Sequence, residues 1–282
     1  MMSSPLPTIA LSLCYIVSVK VITQTYKKFR MVVLMTHSRF FQVIGPRFMA
    51  KRKPFDAKKL QFYYNLFHLG INMFLFYESS IAGWLTNYSF RCQPVDFALS
   101  GLPLRTAQAC WLYYLSKFTD FFETFIYVFL KRFDMINLYH VAHHSLMPVS
   151  VWWGVKFLAG GHSTFFGFIN TAVHIIIYSY FVVTTAWPET KKFFFWWKAF
   201  YPIFQIGQFA LIFLHAFQLV WSNECKYPMA FVYFIGGHAF LFFILRMDKR
   251  KKLEQTEKTS EHKKSKSFSI EESQKIYREL KL

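Results

Sequence analysis

The chain has 282 residues, 54% of them hydrophobic and 21% aromatic, with a formal net charge of +18 at pH 7. So large an apolar share, arranged in long runs, excludes an ordinary soluble domain and points to helices that cross a bilayer. The charge is gathered in two places, eleven Lys and Arg against one Asp in residues 20–60 and twelve Lys and Arg in residues 246–282. Beside membrane spans such clusters mark cytoplasmic segments and anionic headgroups rather than a nucleic-acid surface.

Runs of the roughly 20 apolar residues that a span needs lie near 5–22, 60–85, 107–130, 136–157, 163–186, 199–221 and 227–245. They predict an all-α polytopic membrane protein with about seven transmembrane helices. An odd number puts the two termini on opposite sides. Lys131-Arg132, Lys191, Lys192 and Lys198 then share a face with both basic clusters, while Arg91, Arg105, Lys156 and Lys226 fall on the other. The positive-inside rule makes the more basic face cytoplasmic, and the C-terminus with it. The tail after Arg246 is rich in Lys, Glu and Ser, has too little apolar surface to pack a core, and is expected to be disordered. The first apolar run lacks a basic leading region and a clear cleavage site, so no cleavable signal peptide is expected.

Four cysteines are too few for a disulfide scaffold. Cys14 and Cys110 fall inside predicted spans. Cys92 and Cys225 fall in the two loops poor in Lys and Arg, on the oxidising side if the membrane is that of the endoplasmic reticulum. A Cys92–Cys225 disulfide follows as a hypothesis beside two unpaired thiols. Asn87-Tyr88-Ser89 on the same face is a glycosylation sequon close to a span end.

Ionisable side chains inside a bilayer are costly and normally face a bundle interior, where they act. His140, His143 and His144 stand at i, i+3 and i+4 and share one helical face. Imidazole serves as nucleophile, general base or metal ligand near neutral pH. Packed core histidines are the plainer explanation, and three on one face weigh against it. Asn170, His174 and Tyr178 form a second stripe, at i, i+4 and i+8. There Asn can fix a His tautomer and Tyr can donate to an oxyanion, although interhelical polar glue explains such a stripe equally well. Gln205, Gln208, His215 and Gln218 form a third, suited to holding thioester carbonyls or, again, to glue. Lys117, Asp120 and Glu123 at i, i+3 and i+6 read as charge pairing that orients the histidine helix, with a carboxylate on an imidazole also able to tune it. His68 and His238 read as core residues and His162 as a loop residue.

With these residues in view, the chain resembles the fatty-acid elongase family of the endoplasmic reticulum from about Ser4 to Leu245. The resemblance is carried by His140-x-x-His143-His144, by Asn170-x-x-x-His174-x-x-x-Tyr178-x-Tyr180 and by Gln205-x-x-Gln208-Phe209. Cys92-Gln93-Pro94-Val95-Asp96 and Arg52-Lys53-Pro54-Phe55 add to it. It implies seven helices, six of them around a closed substrate tunnel. It implies a 3-ketoacyl-CoA synthase that joins acyl-CoA to malonyl-CoA and releases carbon dioxide and CoA, without metal or other cofactor. His143 is then the acyl acceptor. His174, held by Asn170, assists decarboxylation or stabilises the enolate. His140 and His144 orient the site with Asp120 and Glu123. Lys131, Arg132, Lys191, Lys192, Lys198 and Arg246 are the candidate cations for the CoA head. Expected partners are membrane lipids and the reductases and dehydratase of the elongation cycle, with room for a homodimer and no nucleic acid.

The chain departs from the family pattern in several places. The family has Lys-x-x-Glu-x-x-Asp-Thr where Lys117, Asp120, Glu123 and Thr124 stand, so the two carboxylates are exchanged. Pro202 replaces a Thr, Ser163 a Gly, and Arg246-Met247-Asp248-Lys249 an aromatic run. The resemblance also implies a short segment ahead of the first span that Met1–Pro5 does not supply. Residues 23–44 are the largest departure. They interrupt a join that would otherwise read Val21-Ile22-Gly45-Pro46. They are expected to be a retained short intron, an alternative exon or a basic interfacial helix. The expected organisation is thus a membrane domain over 1–245, with 23–44 inserted, and a tail over 246–282. Two other classes compete. A di-iron desaturase or hydroxylase also carries histidine boxes but needs more ligands than one box supplies. A non-enzymatic lipid-binding or transport bundle would use the polar stripes for passage.

Overall fold

The computed structural model describes residues 43–222 and 225–279. The predicted first span at 5–22, Cys14, and the inserted segment up to residue 42 lie outside the described residues. Eight α-helices follow in order: α1 Gly45–Met49, α2 Lys58–Ser79, α3 Gly101–Thr119, α4 Phe121–Phe129, α5 Leu138–Phe157, α6 Phe165–Ala186, α7 Trp197–Phe217 and α8 Met229–Glu279. No strand occurs among the described residues.

Three stretches, Gly161–Ala186, Phe200–Trp221 and Met229–Thr256, are long and apolar enough to cross a membrane. The outer faces of the helices carry large apolar side chains such as Tyr63, Leu211, Leu214 and Phe240, all more than a third exposed. Water would penalise so extensive an apolar surface, whereas lipid would not. The run expected as one span over 107–130 is two helices. α3 stops at Thr119, α4 starts at Phe121, and Asp120 turns the chain between them. The break places a buried carboxylate against polar neighbours instead of against lipid.

α2 packs on α6, α7 on α8, and α3 on α5. Leu75, Tyr113, Met147 and Val151 form a core cluster where α2, α3 and α5 meet. Ala142, Leu146, Phe209 and Phe242 form another where α5, α7 and α8 meet. At the opposite end Leu158, Leu219, Tyr227 and Val232 pack with Cys92 and Cys225. Those two cysteines are joined by a disulfide across 133 residues of sequence. Gly161 sits nearby at φ +65°, where a Cβ would press on the backbone oxygen of Gln93 at 2.9 Å. Its lack of a side chain lets His162 N donate to that same oxygen at 2.8 Å and seats the loop before α6 on the disulfide loop.

α8 does not stop at the end of the apolar stretch but runs on through the basic residues to Glu279. A segment with no core to build can still be helical when it is made of Lys, Glu and Gln, which favour the helix intrinsically. Pairs at i, i+4, such as Asp248–Lys252 at 2.6 Å and Arg250–Glu254 at 2.8 Å, add to this.

Candidate active site

α5 begins at the site. Asn137 caps the helix, its Oδ1 accepting from the His140 backbone N–H at 3.2 Å. The cap sets the first turn, so the i, i+3, i+4 spacing delivers His140, His143 and His144 to one side. The His140 and His144 rings lie 4.2 Å apart. Pro148 lies inside the helix and has no N–H to give the His144 carbonyl.

α4 lies beside this face. Thr124 Oγ1 is 2.9 Å from His140 Nε2, and Glu123 Oε2 is 3.4 Å from His144 Nε2. The Tyr127 hydroxyl donates to the other Glu123 oxygen at 2.6 Å. Glu123 is thus held from both sides. His143 takes a different environment: its ring stacks on Tyr139 at 5.9 Å and meets Phe242 edge-on at 5.0 Å and Phe209 at 6.2 Å.

A second polar group centres on Asn170. Its Oδ1 accepts from Tyr113 OH at 2.8 Å and from Lys117 Nζ at 3.4 Å. Its Nδ2 lies 3.3 Å from His174 Nε2 and 3.4 Å from Gln208 Oε1. The amide therefore ties α3, α6 and α7 together. Lys117, 3% exposed, also sits 3.6 Å from Asp120 and over the Tyr113 ring. Asp120 is 3.6 Å from His68 Nδ1 as well. The exchanged carboxylates both find partners, the shorter one beside the cation and the longer one reaching His144 and Tyr127. The buried Nδ1 of His174 and Oε1 of Gln205 make no hydrogen bond among the described residues.

Of the predicted residues, this region gathers His140, His143, His144, Asn170, His174, Lys117, Asp120, Glu123 and Gln208. Gln205 joins it through Tyr201, to which its Nε2 donates at 3.1 Å. Tyr178 stacks on His68 at 4.9 Å and meets the His174 ring edge at 5.7 Å. His215 is not brought here. It stacks between His162 at 3.9 Å and Phe165 at 3.8 Å, and its carbonyl lies 2.8 Å from His162 Nε2, toward the disulfide end. Arg246 is 2% exposed, with its guanidinium over the rings of Tyr139 and Tyr201. Arg132, Lys191 and Lys192 are exposed and Lys131 is half-buried; the side chain of Lys198 lies outside the described residues. Sequence reasoning missed Thr124, Tyr127, Tyr113, Tyr139 and His68. Three of them carried a spacing signal: Tyr113 four residues before Lys117, Tyr127 four after Glu123 and Tyr139 four before His143.

An apolar cavity of about 110 Å³ lies beyond Tyr113 toward the disulfide end. α5 lines it with Ser150, Val151, Gly154 and Val155, below the histidines on the same helix, and Leu158 just past the helix end adds to the wall. His238 of α8, read from sequence as a core residue, is on its wall. The ligand atoms of Glu123, His140 and His144 lie within 4.8 Å of one another, close enough to hold a metal ion.

The model of the GNS1/SUR4 (ELO) family matches residues 1–250. A very long chain fatty acid elongase 7 of Drosophila melanogaster is 47% identical over 245 residues, covering 87% of this chain and 68% of that protein. A very long chain fatty acid elongase of Aedes aegypti is 46% identical, covering 87% of this chain and 62% of its own length. A very long chain fatty acid elongase 7 of Rattus norvegicus is 38% identical, covering 76% of each chain. With the histidine face, the Asn170 hub and the apolar cavity in place, the match over nine-tenths of its length means that the chain belongs to the GNS1/SUR4 (ELO) family.

Proposed function

We propose that this protein catalyses the condensing step of fatty-acid elongation, joining a long-chain acyl-CoA to malonyl-CoA to give a 3-ketoacyl-CoA. The observation that carries this reading is the stacking of a His, Asn and Gln site directly above an apolar cavity, both lined by α5. Acyl transfer needs a nucleophile and oxyanion donors at one end of a chain-sized apolar space. The names of the relatives give the same substrate class.

His143 is the proposed acyl acceptor. A ring nitrogen attacks the thioester carbonyl, the N–C bond forms, the C–S bond breaks, and CoA leaves as its thiol with the imidazole proton. Malonyl-CoA then loses carbon dioxide, the electrons of the broken C–C bond passing to the enolate. The enolate carbon attacks the acyl-imidazole carbonyl, the C–N bond breaks, and the departing ring nitrogen takes up one proton from solvent, which regenerates neutral His143. His174, aimed by Asn170, stabilises the enolate oxygen. Glu123 and Thr124 hold His144 and His140 in place. Met147, one turn past His143 on α5, and Phe242, packed on both His143 and His238, are buried beside the proposed acyl acceptor.

The protein is further proposed to have seven spans, with the first at 5–22, six of them around a closed tunnel. It resides in the endoplasmic reticulum membrane with a cytoplasmic C-terminus and hands its product to reductases and a dehydratase. The reaction as written uses no metal. The pairing of two histidines with Glu123 favours a second reading, since two histidines and one carboxylate also suit an iron-dependent oxygenase. Metal content of the purified protein separates the two.

The direct test supplies labelled malonyl-CoA and a panel of acyl-CoAs to microsomes carrying the chain or its His143→Ala variant. Label in 3-ketoacyl-CoA only with the unsubstituted chain is the expected result. Absence of label from well-folded protein, with or without residues 23–44, overturns the reading.

A further inference from the structure

The cavity is apolar, and most of its hydroxyls are turned into the backbone. Thr106 donates to Leu102 O at 3.0 Å, Thr164 to Gly161 O at 2.7 Å and Thr171 to Gly167 O at 2.9 Å. Ser150 and His238 behave differently. Ser150 Oγ lies 3.0 Å from His238 Nδ1, a side-chain pair that joins α5 to α8 across the cavity wall. The imidazole ring packs 4.6 Å from Phe242, which also meets the His143 ring. The pair therefore sets a hydroxyl and an imidazole at one depth of an otherwise oily space.

That depth can be placed on an acyl chain, given the condensing reading on which this inference rests. Ser150 follows His143 by two helical turns and shares its face, about 10.5 Å further along the axis. An extended chain of 1.5 Å C–C bonds advances roughly 1.3 Å per carbon. A chain held at His143 by its first carbon thus passes the pair at about carbons 8 to 10. One turn below lies Gly154, where a Cβ would meet nothing within 4 Å, so the wall steps back there.

A saturated chain sets methylenes against polar atoms at this level. A cis double bond sets π electrons there, which accept weakly from N–H and O–H groups, and its bend has room at Gly154. We propose that the Ser150–His238 pair makes this protein select acyl chains with a cis double bond near carbon 9, counted from the thioester.

The test gives microsomes containing the full chain an equimolar mixture of eighteen-carbon acyl-CoAs. One is saturated and the others carry a cis double bond at carbon 6, 9 or 12. Labelled malonyl-CoA is added and the 3-ketoacyl products are separated by chromatography. Product ratios within one mixture are independent of how much enzyme has folded. The carbon-9 isomer is expected to exceed the saturated chain by about two- to fivefold. That ratio falls to near one in His238→Phe and in Ser150→Ala, while the ratios for carbons 6 and 12 stay put. An unchanged carbon-9 ratio in either variant overturns the proposal, as does a shift of all three isomers together. If His238→Phe does not accumulate, Ser150→Ala decides alone. No product from the unsubstituted chain overturns the condensing reading, an outcome distinct from an unselective mixture.

Discussion

His140 and His144 both meet α4 through a polar contact, and those two contacts differ in kind. Thr124 offers His140 a neutral hydroxyl at 2.9 Å. Removing it in Thr124→Val keeps the volume and leaves the ring without that partner. kcat is expected to fall about tenfold with KM little changed, since a lost hydrogen bond of this class is worth ~1–1.5 kcal/mol. Thr124→Ser restores the rate if positioning is its role. Arg246 makes a stronger case, because it is buried, no ion pair serves it among the described residues, and its Nε makes no hydrogen bond. A buried cation needs an anion. Arg246→Met is expected to raise KM about tenfold or more, on the scale of a lost charge-assisted bond. A rise for acyl-CoA and malonyl-CoA alike assigns it to the CoA phosphates they share, and a rise for malonyl-CoA alone assigns it to the carboxylate. The histidine face and the Asn170 stripe were legible from spacing, because i, i+3 and i+4 residues share a face whatever surrounds them. Arg246 was legible only as a cation near a span end. That it folds back between Tyr139 and Tyr201 depends on α7 meeting α8, which no local pattern encodes. His215 continues the Gln205–Gln208 stripe in sequence but lies two turns past Gln208, which carries it out of reach of the site.

At the level of elements, α7 and α8 approach closely at Gly236. A Cβ there would collide with the Phe217 ring, which already packs at a tilt on Phe213 at 4.5 Å. The next residue, Gly237, has nothing within 4 Å of where its Cβ would stand. Gly236→Ala is therefore expected to lower thermal stability in detergent by about 1–3 kcal/mol, the cost of overpacking. Gly237→Ala is expected to be neutral or to stabilise by up to about 1 kcal/mol through helix propensity. Equal effects at the two glycines would refute the close approach. The lengths of the apolar runs located α2, α5, α6, α7 and the start of α8, since a run that spans a bilayer must be helical. They did not locate the break at Asp120. Hydropathy averages over Lys117, Asp120 and Glu123 and reads through them, whereas the chain turns where the carboxylate must meet Lys117 and His68. Nor did composition predict how far α8 extends, because a lack of apolar residues removes a core without removing helix propensity.

For the molecule as a whole, the described helices leave the insertion at 23–44 to be tested in the messenger. Transcripts that join the codons of Ile22 and Gly45 directly are expected, and a mature population that all carries the 22 intervening codons would assign the segment to the working protein. Orientation is testable in sealed microsomes. Lys191 and Lys192 are exposed in the short segment Pro188–Phe194, and external trypsin is expected to cut there only if that face is cytoplasmic. Protection until the membrane is opened would reverse the proposed topology.

The bridge between Cys92 and Cys225 makes that digestion more telling than a simple cut. It closes a covalent ring that contains His140, His143, His144, Asn170, His174, Gln205 and Gln208. A single nick at Lys191 opens the ring without parting the molecule. The nicked protein should migrate as one species on a non-reducing gel and as two fragments once a thiol is added. One lane pair would therefore report two facts about a single molecule, the side on which the enzyme met Lys191 and the oxidation state of the face opposite.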